Sequence, residues 1–404
     1  MAGLPGRADE GSVAGPGRNA VRFPAACVQI ACSSVMIGDL SAALVTATAA
    51  AVRSGGLTDD GGLSADPGLA AGTWRPVPAE AGGGPGSYAT TLPFVLAHRL
   101  AADPGQVAAA LAVALRPILA EAEIGEVSVT GGGYLSLTLT PDTLARLAVR
   151  ISRAGPGCAR SHALDGVRMS APRGSQLASA RDWADAWQRL TAEQGGRLAE
   201  AAGAEVTWVP LASEKNGPGE GGLVAEAIAY AGEEAVRFAL SRLADGPARR
   251  APRPPDPDLA PQAMAAQHLG NPAYAVRYAH AHAATALRQA ADLGLPELDV
   301  ERFQPCLLAH PSERVLLDAM SWLPERVAGA ARRRQPHVVA AYLEDLAGRY
   351  FGWQEACPVM RPGSVLSRPL GGELTQARLQ LASAARTALG TGLQLLGITA
   401  PGRM

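Results

Sequence analysis

Three stretches rich in glycine and proline interrupt the chain, near residues 54–87, 152–174 and 243–263. The last contains six prolines between Gly246 and Met264, and it cannot form a helix interior, because each proline lacks a backbone N–H donor and restricts the residue before it. At 404 residues the chain is long enough for two or three domains with their own cores. The three stretches are therefore predicted to be linkers or long loops.

The block between the first two stretches combines helices with a β-hairpin. Helical composition and spacing predict three helices, and apolar alternation on either side of a triple-glycine turn predicts two paired strands. Because helices and strands are segregated along the chain, we predict an α+β domain over residues 38–150. The predicted helices are Leu40–Val52, Leu92–Ala101 and Pro104–Glu123, and the predicted strands begin at Glu126 and Tyr134.

From about residue 222 onward the sequence is almost wholly helical. Asn271-Pro272 is a helix start signal, since Asn caps the helix and Pro fits its first position. Small and apolar residues then recur at spacings of three and four. Short links between helices predict a mainly α-helical bundle over residues 222–404. Further helices are predicted at Glu313–Arg332, Val338–Phe351 and Leu374–Leu396.

Composition limits the classes of function. The formal net charge is −1, and the only lysine is Lys215, so overall charge does not indicate a nucleic-acid partner. The five cysteines show no CxxC spacing and no zinc-ligand cluster with histidine. We therefore predict no metal, no cofactor, and free thiols in a reducing cytoplasm. No apolar run reaches the ~18 residues of a membrane span, so we predict a cytoplasmic protein without a membrane partner.

The N-terminal residues have a composition of their own. Residues 1–20 are rich in Gly, Pro and Arg, and an apolar stretch follows from Phe23 to Ile37. The stretch resembles a signal peptide only weakly, because polar residues interrupt it and no small-residue cleavage site stands out. We predict that residues 1–37 are a disordered tail or a spurious extension, with the true start near Met36.

Several motifs resemble segments of arginyl-tRNA synthetases. Gly86-Ser-Tyr-Ala-Thr-Thr-Leu-Pro-Phe94 resembles the family's GDYATNxxF, and the hairpin segment at 129–138 resembles its VxGPGFxNxxL. The segment at 271–282 resembles NPxYYVQYAHAR, and residues 392–404 are similar to the family's C-terminus. The resemblance implies an N-terminal tRNA-binding domain at 38–150 and a DALR-type anticodon-binding domain at 222–404.

The resemblance does not extend to the middle of the chain. Only about seventy residues, 151–221, separate the two blocks, which is less than a typical domain. A synthetase of this class meets the phosphates of ATP with a HIGH-type sequence and a KMSKS-type loop. No HIGH-like sequence occurs, and Ser213-Glu-Lys-Asn-Gly217 lacks the serine–lysine order, so it is a vestige of the loop or an ordinary loop.

We therefore predict that residues 151–221 are a degenerate remnant or linker of a catalytic domain. Within them, Asp182–Ala202 carries two tryptophans and two leucines at near-helical spacing, which predicts a helix that bridges two domains. No residue is assigned a catalytic role. We expect no arginine-dependent exchange between ATP and pyrophosphate.

The candidate anticodon contacts lie on one helix and at the C-terminus. Tyr274, Tyr278 and His282 follow at intervals of four and form one stripe, which either stacks on splayed RNA bases or packs inside the bundle. The resemblance implies that Tyr278 and Met404 lie at the anticodon loop. Arg277 replaces the family's Gln and adds a phosphate contact. His282 replaces its Arg, which weakens the charge at pH 7 and with it the family's anticodon selectivity.

The candidate contacts to the outer corner of the tRNA lie in the first block. Phe94 matches a residue that the family stacks on a base of the D-loop, whereas Tyr88 is either a core residue or an RNA contact. Ser87 and Thr91 replace the family's Asp and Asn, so the hydrogen bonding to bases is expected to be altered.

The charge distribution favours the helical block as the RNA partner. Residues 38–150 hold six Arg against ten Asp or Glu, while residues 222–404 hold nineteen Arg against seventeen Asp or Glu. The densest basic cluster is Arg332-Arg-Arg334, which is either a solvated helix end or a contact to the RNA backbone. Binding is expected to depend strongly on salt.

Three functions follow from these features. The first is a non-catalytic protein that binds tRNA, of the arginine type, at the anticodon stem-loop and outer corner. The second is a protein-interaction module that docks a true synthetase or a regulatory protein, which the lost Asp, Asn and Arg favour. The third is an arginine–tRNA ligase-type or aminoacyl-tRNA-dependent enzyme, for which the sequence offers no nucleophile and base.

Overall fold

The computed structural model describes residues 36–58, 69–70, 72–78, 81–121, 125–211, 222–246, 257–359 and 372–404. Within them, an α+β block is followed by a mainly helical bundle, as predicted. None of the described helices is long and apolar enough to cross a membrane. The helices are α1 (Ile37–Arg53), α2 (Leu92–Leu100), α3 (Pro104–Glu121), α4 (Pro141–Ala154), α5 (Trp183–Ala201), α6 (Leu223–Ala231), α7 (Glu233–Arg242), α8 (Pro261–Ala265), α9 (Pro272–Asp292), α10 (Pro311–Ser321), α11 (Leu323–Arg333), α12 (His337–Ala356) and α13 (Glu373–Leu395). The strands are β1 (Trp74–Pro76), β2 (Ser87–Thr90), β3 (Gly125–Thr130), β4 (Tyr134–Leu139), β5 (Arg168–Arg173) and β6 (Glu205–Pro210).

The N-terminal block is built on an antiparallel four-stranded sheet in the order β1-β2-β4-β3. Leu135 and Leu137 of β4 are buried, so one face of the sheet packs against helices while the other faces solvent. The predicted hairpin is confirmed. Its turn, Gly131–Gly133, has positive φ at all three residues, a backbone region that glycine enters without steric cost.

The bundle starts where the sequence predicts. The side chain of Asn271 accepts a hydrogen bond from the backbone N–H of Ala273 at 3.1 Å, and Pro272 occupies the first turn of α9. The side-chain amide of Asn271 also donates to the Ala266 carbonyl at 2.7 Å, so the cap fixes the incoming chain as well. The face of α9 that carries Val276 is buried against α12 and α13.

Two helix boundaries differ from the prediction. The helix predicted over 313–332 is broken at Trp322 into α10 and α11, because Pro324 lacks the N–H that a continuous helix would bond there. The first helix begins at Ile37 rather than Leu40. Met36 caps it, and both residues are buried, so the prediction that residues 36–37 belong to a disordered tail is wrong. Residues 1–35 lie outside the described residues.

The middle of the chain is a folded β-α-β unit. The prediction of a linker or long loop over 152–174 is wrong, since this stretch contains the end of α4, the short 3-10 helix Gly155–Ala159 and β5. β5 and β6 pair in parallel, and α5 crosses between them. Gly196 of α5 lies so close to β5 that an added Cβ would overlap Ala171. The helix predicted over 182–202 is present as α5, and it packs against α7, α11 and α13 of the bundle.

The N-terminal block and the bundle share one hydrophobic core. Buried residues of α1, α3, α4 and β4 form a single cluster with those of α9 to α13. α4 packs along α13, and the buried side-chain amide of Gln380 donates to the Ala148 carbonyl at 3.2 Å. The two blocks that flank the β-α-β unit therefore pack directly on each other.

Candidate nucleic-acid interface

An aromatic cluster lies where α9 meets α12. We define it as Tyr274, Tyr278, His282, Tyr350 and Phe351. The rings of Tyr274 and Tyr278 are stacked, with centroids 5.5 Å apart and planes at 10°. Phe351 continues the stack, 5.9 Å from Tyr278 at 23°. These three rings are half-buried, so each is fixed by its neighbours and keeps part of its surface accessible to a planar ligand.

His282 occupies the inner end of the aromatic cluster. Its Nδ1 lies 2.9 Å from the hydroxyl oxygen of Tyr350, which is fully buried. Burial lowers the pKa of His282 below its usual range, so the ring is neutral at pH 7. Burial likewise raises the pKa of Tyr350. The three residues of the predicted stripe therefore differ in their surroundings. The rings of Tyr274 and Tyr278 are partly exposed, whereas His282 is hydrogen-bonded toward the core.

The C-terminal tail is fastened along α9. Nδ1 of His280 lies 2.8 Å from the Pro401 carbonyl oxygen, and Nη1 of Arg288 donates to the Gly402 carbonyl at 2.7 Å. His280 therefore helps to hold the tail against α9. Met404, the last residue, is 53% exposed. The tail contacts therefore keep Met404 on the side of the bundle that α9 forms.

Arg277 is the predicted cationic contact on the same helix, α9. The side chain is half-buried, and its Nε has no hydrogen-bond partner in the described part of the chain. An unsatisfied buried donor costs about 1–3 kcal/mol, so a ligand that accepts from this nitrogen would remove that cost.

A second aromatic surface lies in the N-terminal block. The half-buried ring of Phe94 meets the ring of Tyr134 edge to face, with centroids 4.8 Å apart. Tyr134 is 43% exposed, and Val95 and Val129 are exposed as well. The sequence prediction missed Tyr134 as a contact, although its place directly after the glycine turn of the resembling segment was a usable signal.

Tyr88 does not belong to either exposed surface. Its side chain is 0% exposed, and its hydroxyl donates to Oδ1 of Asp318 at 2.8 Å and lies 3.0 Å from Oγ of Ser321. Its ring meets Trp322 edge to face at 5.5 Å. The expected contact between Tyr88 and the outer corner of a tRNA is corrected accordingly, because in this structure the ring is packed between the N-terminal block and α10.

The start of α5 carries two carboxylates, of which Asp185 is paired with Arg181 and Arg189. In nucleotide-binding β-α-β units, phosphates sit at the N-terminus of the crossover helix. Here Oδ1 of Asp182 accepts from the backbone N–H of Asp185 at 2.7 Å and caps the helix. Burial alone would raise the pKa of Asp185, but hydrogen bonds from the Arg181 N–H and the Arg189 guanidinium lower it. Two carboxylates therefore occupy the place that a phosphate would need.

No cluster of His, Cys, Asp and Glu with the makings of a metal site occurs among the residues that the structure describes. The segment at Ser213–Gly217, considered as a vestige of a catalytic loop, lies outside them.

The C-terminal part of the chain matches a known domain family. Residues 276–404 match the family model of the DALR anticodon binding domain. Over its C-terminal part the chain is similar to arginine–tRNA ligases, as the motifs predicted. The relative from Frankia alni is 43% identical over 147 residues, which cover 36% of this chain and 26% of that protein. The relative from Paenarthrobacter aurescens is 37% identical over 180 residues, covering 44% of this chain and 30% of that protein.

The whole fold is also similar to solved arginyl-tRNA synthetases. The enzyme of Thermus thermophilus superposes with a TM-score of 0.54 at 17% identity, covering 90% of this chain and 100% of that chain. That of Plasmodium falciparum superposes with a TM-score of 0.55 at 8% identity, covering 92% and 100%. The chain is thus arginyl-tRNA synthetase-like with an anticodon-binding domain, while its sequence matches span about a quarter to a third of the length of the curated relatives.

Proposed function

We propose that this chain binds tRNA, of the arginine type, without aminoacylating it. The observation that carries the proposal is the partly exposed stack of the Tyr274, Tyr278 and Phe351 rings, next to or within the segment that matches an anticodon-binding domain. Unstacked loop bases bind to such platforms, because every base offers a flat face to an aromatic ring. Arg277 lies on the same helix, α9, and Met404 ends the tail that is held along this helix. Both residues complete the proposed contact to the anticodon loop.

The second contact is the surface of Phe94 and Tyr134. The rings of Phe94 and Tyr134 meet at the surface of the N-terminal block, and Tyr134 is 43% exposed; an accessible aromatic pair suits a splayed base of the outer corner. Tyr134 takes the place in the proposal that Tyr88 had in the sequence prediction. The proposal includes a cytoplasmic location, where tRNA is found.

The absence of aminoacylation is proposed from the β-α-β unit. Among the described residues, β5 and β6 are the only strands that pair in parallel. At the start of the crossover helix, the Asp182 carboxylate already accepts a backbone N–H, and Asp185 is paired with Arg181 and Arg189. These contacts occupy the position at which such units bind phosphate. We expect no arginine-dependent exchange of pyrophosphate into ATP, measured with and without tRNA. Robust exchange by the purified chain would overturn this part of the proposal.

Replacement of Tyr278 by alanine tests the anticodon contact. Loss of a stacked base costs about 1–3 kcal/mol, so the Kd for arginine-type tRNA should rise roughly tenfold to a hundredfold. Filter binding at fixed salt measures it. Tyr230→Ala is the matched control, since Tyr230 lies on α6, outside the aromatic cluster, and is 61% exposed; its Kd should stay at the wild-type value.

The same titration separates the proposal from its main rival. If the wild-type chain shows no preference for tRNA over an unrelated structured RNA, the tRNA-binding proposal fails. The rival is docking of a true synthetase or a regulatory protein, which the inward orientation of His282 favours, because the ring carries no charge toward an RNA. A partner that is captured from native extract and retained after ribonuclease treatment would support the rival.

A further inference from the structure

A cavity of about 770 Å³ lies between the loop that follows α9 and the first turns of α13. Residues 296–304 of the loop form one wall, and residues within 373–380 of α13 form the other. From Tyr278 to the end of α9 at Asp292, the helix rises about 20 Å along its axis. The cavity therefore lies at the opposite end of α9 from the stacked rings of the aromatic cluster.

Acidic side chains dominate the lining, so we call it the acidic cavity. Four of the lining residues are acids and one, Arg302, is basic. Asp299 has local partners, since it pairs with Arg302 at 3.4 Å and accepts the backbone N–H of Glu301 at 2.9 Å. Glu373 lies in the first turn of α13. The side chains of Glu297 and Glu301 are exposed and have no ion pair or hydrogen bond within the described residues.

A buried side chain adds a further acceptor to the acidic cavity. Gln380 lines the cavity and is only 3% exposed. Its amide nitrogen donates to the Ala148 carbonyl of α4 at 3.2 Å, which holds the amide in place. Its carbonyl oxygen has no hydrogen-bond partner among the residues that the structure describes. A buried acceptor without a partner is costly, and a ligand that donates to it removes that cost.

Apolar side chains line the same cavity. Leu298 and Phe303 are half-buried and pack against the main core, and Ala377 is 1% exposed. Lysine and arginine side chains match this combination, because an aliphatic stem packs on apolar surface while the charged head group only donates hydrogen bonds. The carboxylates repel a phosphate backbone. The chemistry of the acidic cavity therefore suits a basic side chain and not RNA.

We infer that the acidic cavity docks a basic segment of a partner protein, with an arginine or lysine stem on the apolar lining and its head group on Glu297 and Glu301. The inference goes beyond the proposed tRNA binding and does not depend on it. The carboxylates are distributed over a loop and a helix, so a segment with several cations engages more of them than one small cation does. Because the cavity and the stacked rings lie at opposite ends of α9, the partner and a tRNA can bind the same chain together.

The test is fluorescence anisotropy of the full chain with a labelled peptide in which arginine alternates with leucine. The matched probe is the same peptide with citrulline in place of arginine, which keeps the side-chain length and removes the charge. Hydrogen bonds between a cation and a carboxylate are about twice as strong as neutral ones, so the arginine peptide should bind roughly tenfold more tightly or better. Equal binding of the two peptides overturns the inference.

Variants of the chain locate the binding. Glu297→Gln/Glu301→Gln should raise the Kd of the arginine peptide roughly tenfold, since two ion pairs are lost. Its thermal transition should not change, because neither side chain has a partner in the described fold. Glu126→Gln/Glu226→Gln is the matched control, since it removes the same charge from exposed sites outside the cavity. An unchanged Kd in the cavity variant, or an equal rise in the control, overturns the inference.

Two further measurements separate docking of a protein segment from other roles of the acidic cavity. Displacement of the arginine peptide by spermidine at concentrations near the Kd of the peptide would assign the cavity to small polyamines and overturn the docking of a protein. The Kd for tRNA, measured without peptide, should be the same for Glu297→Gln/Glu301→Gln and for the wild type. Weaker tRNA binding by this variant would place the carboxylates in the RNA site and overturn the inference. Absence of tRNA binding by the wild type would overturn the proposed function alone.

Discussion

Replacement of Tyr88 by alanine is expected to destabilise the protein by about 3–5 kcal/mol, the usual cost of deleting a large buried aromatic side chain. The ring is 0% exposed and lies between β2 and α10. The change also removes the hydroxyl that hydrogen-bonds Asp318, whose pKa is already raised by burial despite its hydrogen bonds from Gly86 and Tyr88. Urea denaturation followed by circular dichroism measures the loss.

Two further variants show which part of the Tyr88 side chain accounts for the loss of stability. Tyr88→Phe keeps the ring and removes only the hydroxyl, so it should cost about 1–3 kcal/mol, the price of an unsatisfied buried acceptor. Phe94→Ala removes a half-buried ring from the same segment and should cost less than Tyr88→Ala. A Tyr88→Ala protein within 1 kcal/mol of the wild type would show that the junction between the two blocks is not as tightly packed as described.

Replacement of Glu193 by alanine is the second change with a large expected effect. Glu193 is 1% exposed. Its Oε1 accepts from Nη2 of Arg197 at 2.7 Å, and its Oε2 from Nη1 of Arg237 at 3.3 Å. Removing the carboxylate leaves Arg237, a largely buried cation, with Glu233 and Ser175 as its remaining partners, and the loss of charge-assisted hydrogen bonds should cost about 1.5–3 kcal/mol. The free energy of unfolding in urea at pH 7 measures it.

The pH dependence of stability gives an independent check on Glu193. Burial would raise the pKa of this carboxyl, but the hydrogen bond from Arg197 and the charges of Arg237 and Arg197 lower it below its usual range. A lowered folded-state pKa means that the stabilisation is present above the unfolded pKa, near 4.3, and is lost as pH falls through the folded pKa. Glu193→Gln should lack this component.

An exposed pair supplies the control for Glu193. Asp299→Ala breaks the pair between Asp299 and Arg302, both of which are at least half exposed. A pair of that kind contributes about 0–1 kcal/mol, so this variant should unfold almost like the wild type. Equal losses for Glu193→Ala and Asp299→Ala would contradict the assignment of a buried network.

The sequence predicted those elements whose signals are local. The hairpin and the start of α9 depend on residues within a few positions of one another, namely the triple-glycine turn and Asn271-Pro272. The family resemblance of the C-terminal part depends on ordered motifs, and the match at 276–404 agrees with it. Local rules sufficed there because turn and cap geometry are satisfied by the neighbouring backbone.

The features that the sequence did not predict depend on distant partners. The burial of Tyr88 is determined by Asp318 and Trp322, more than 200 residues further along the chain. The glycine- and proline-rich stretch before β5 folds because α13, α4 and α11 pack against its 3-10 helix. The position of His282 depends on its hydrogen bond to Tyr350, which lies on another helix. Spacing along one helix places residues on a face but does not say what that face meets.

The common core of the two blocks has a consequence for dissecting the protein. Residues of α4 cover α13, and β2 covers the start of α11 through Tyr88 and Trp322, so a C-terminal fragment expressed alone would present these apolar surfaces to water. Fragments with such patches tend to self-associate. An RNA affinity measured on such a fragment would then be that of the aggregates and not of the folded domain. Because the two blocks share one hydrophobic core, each aromatic surface is best measured in the full chain.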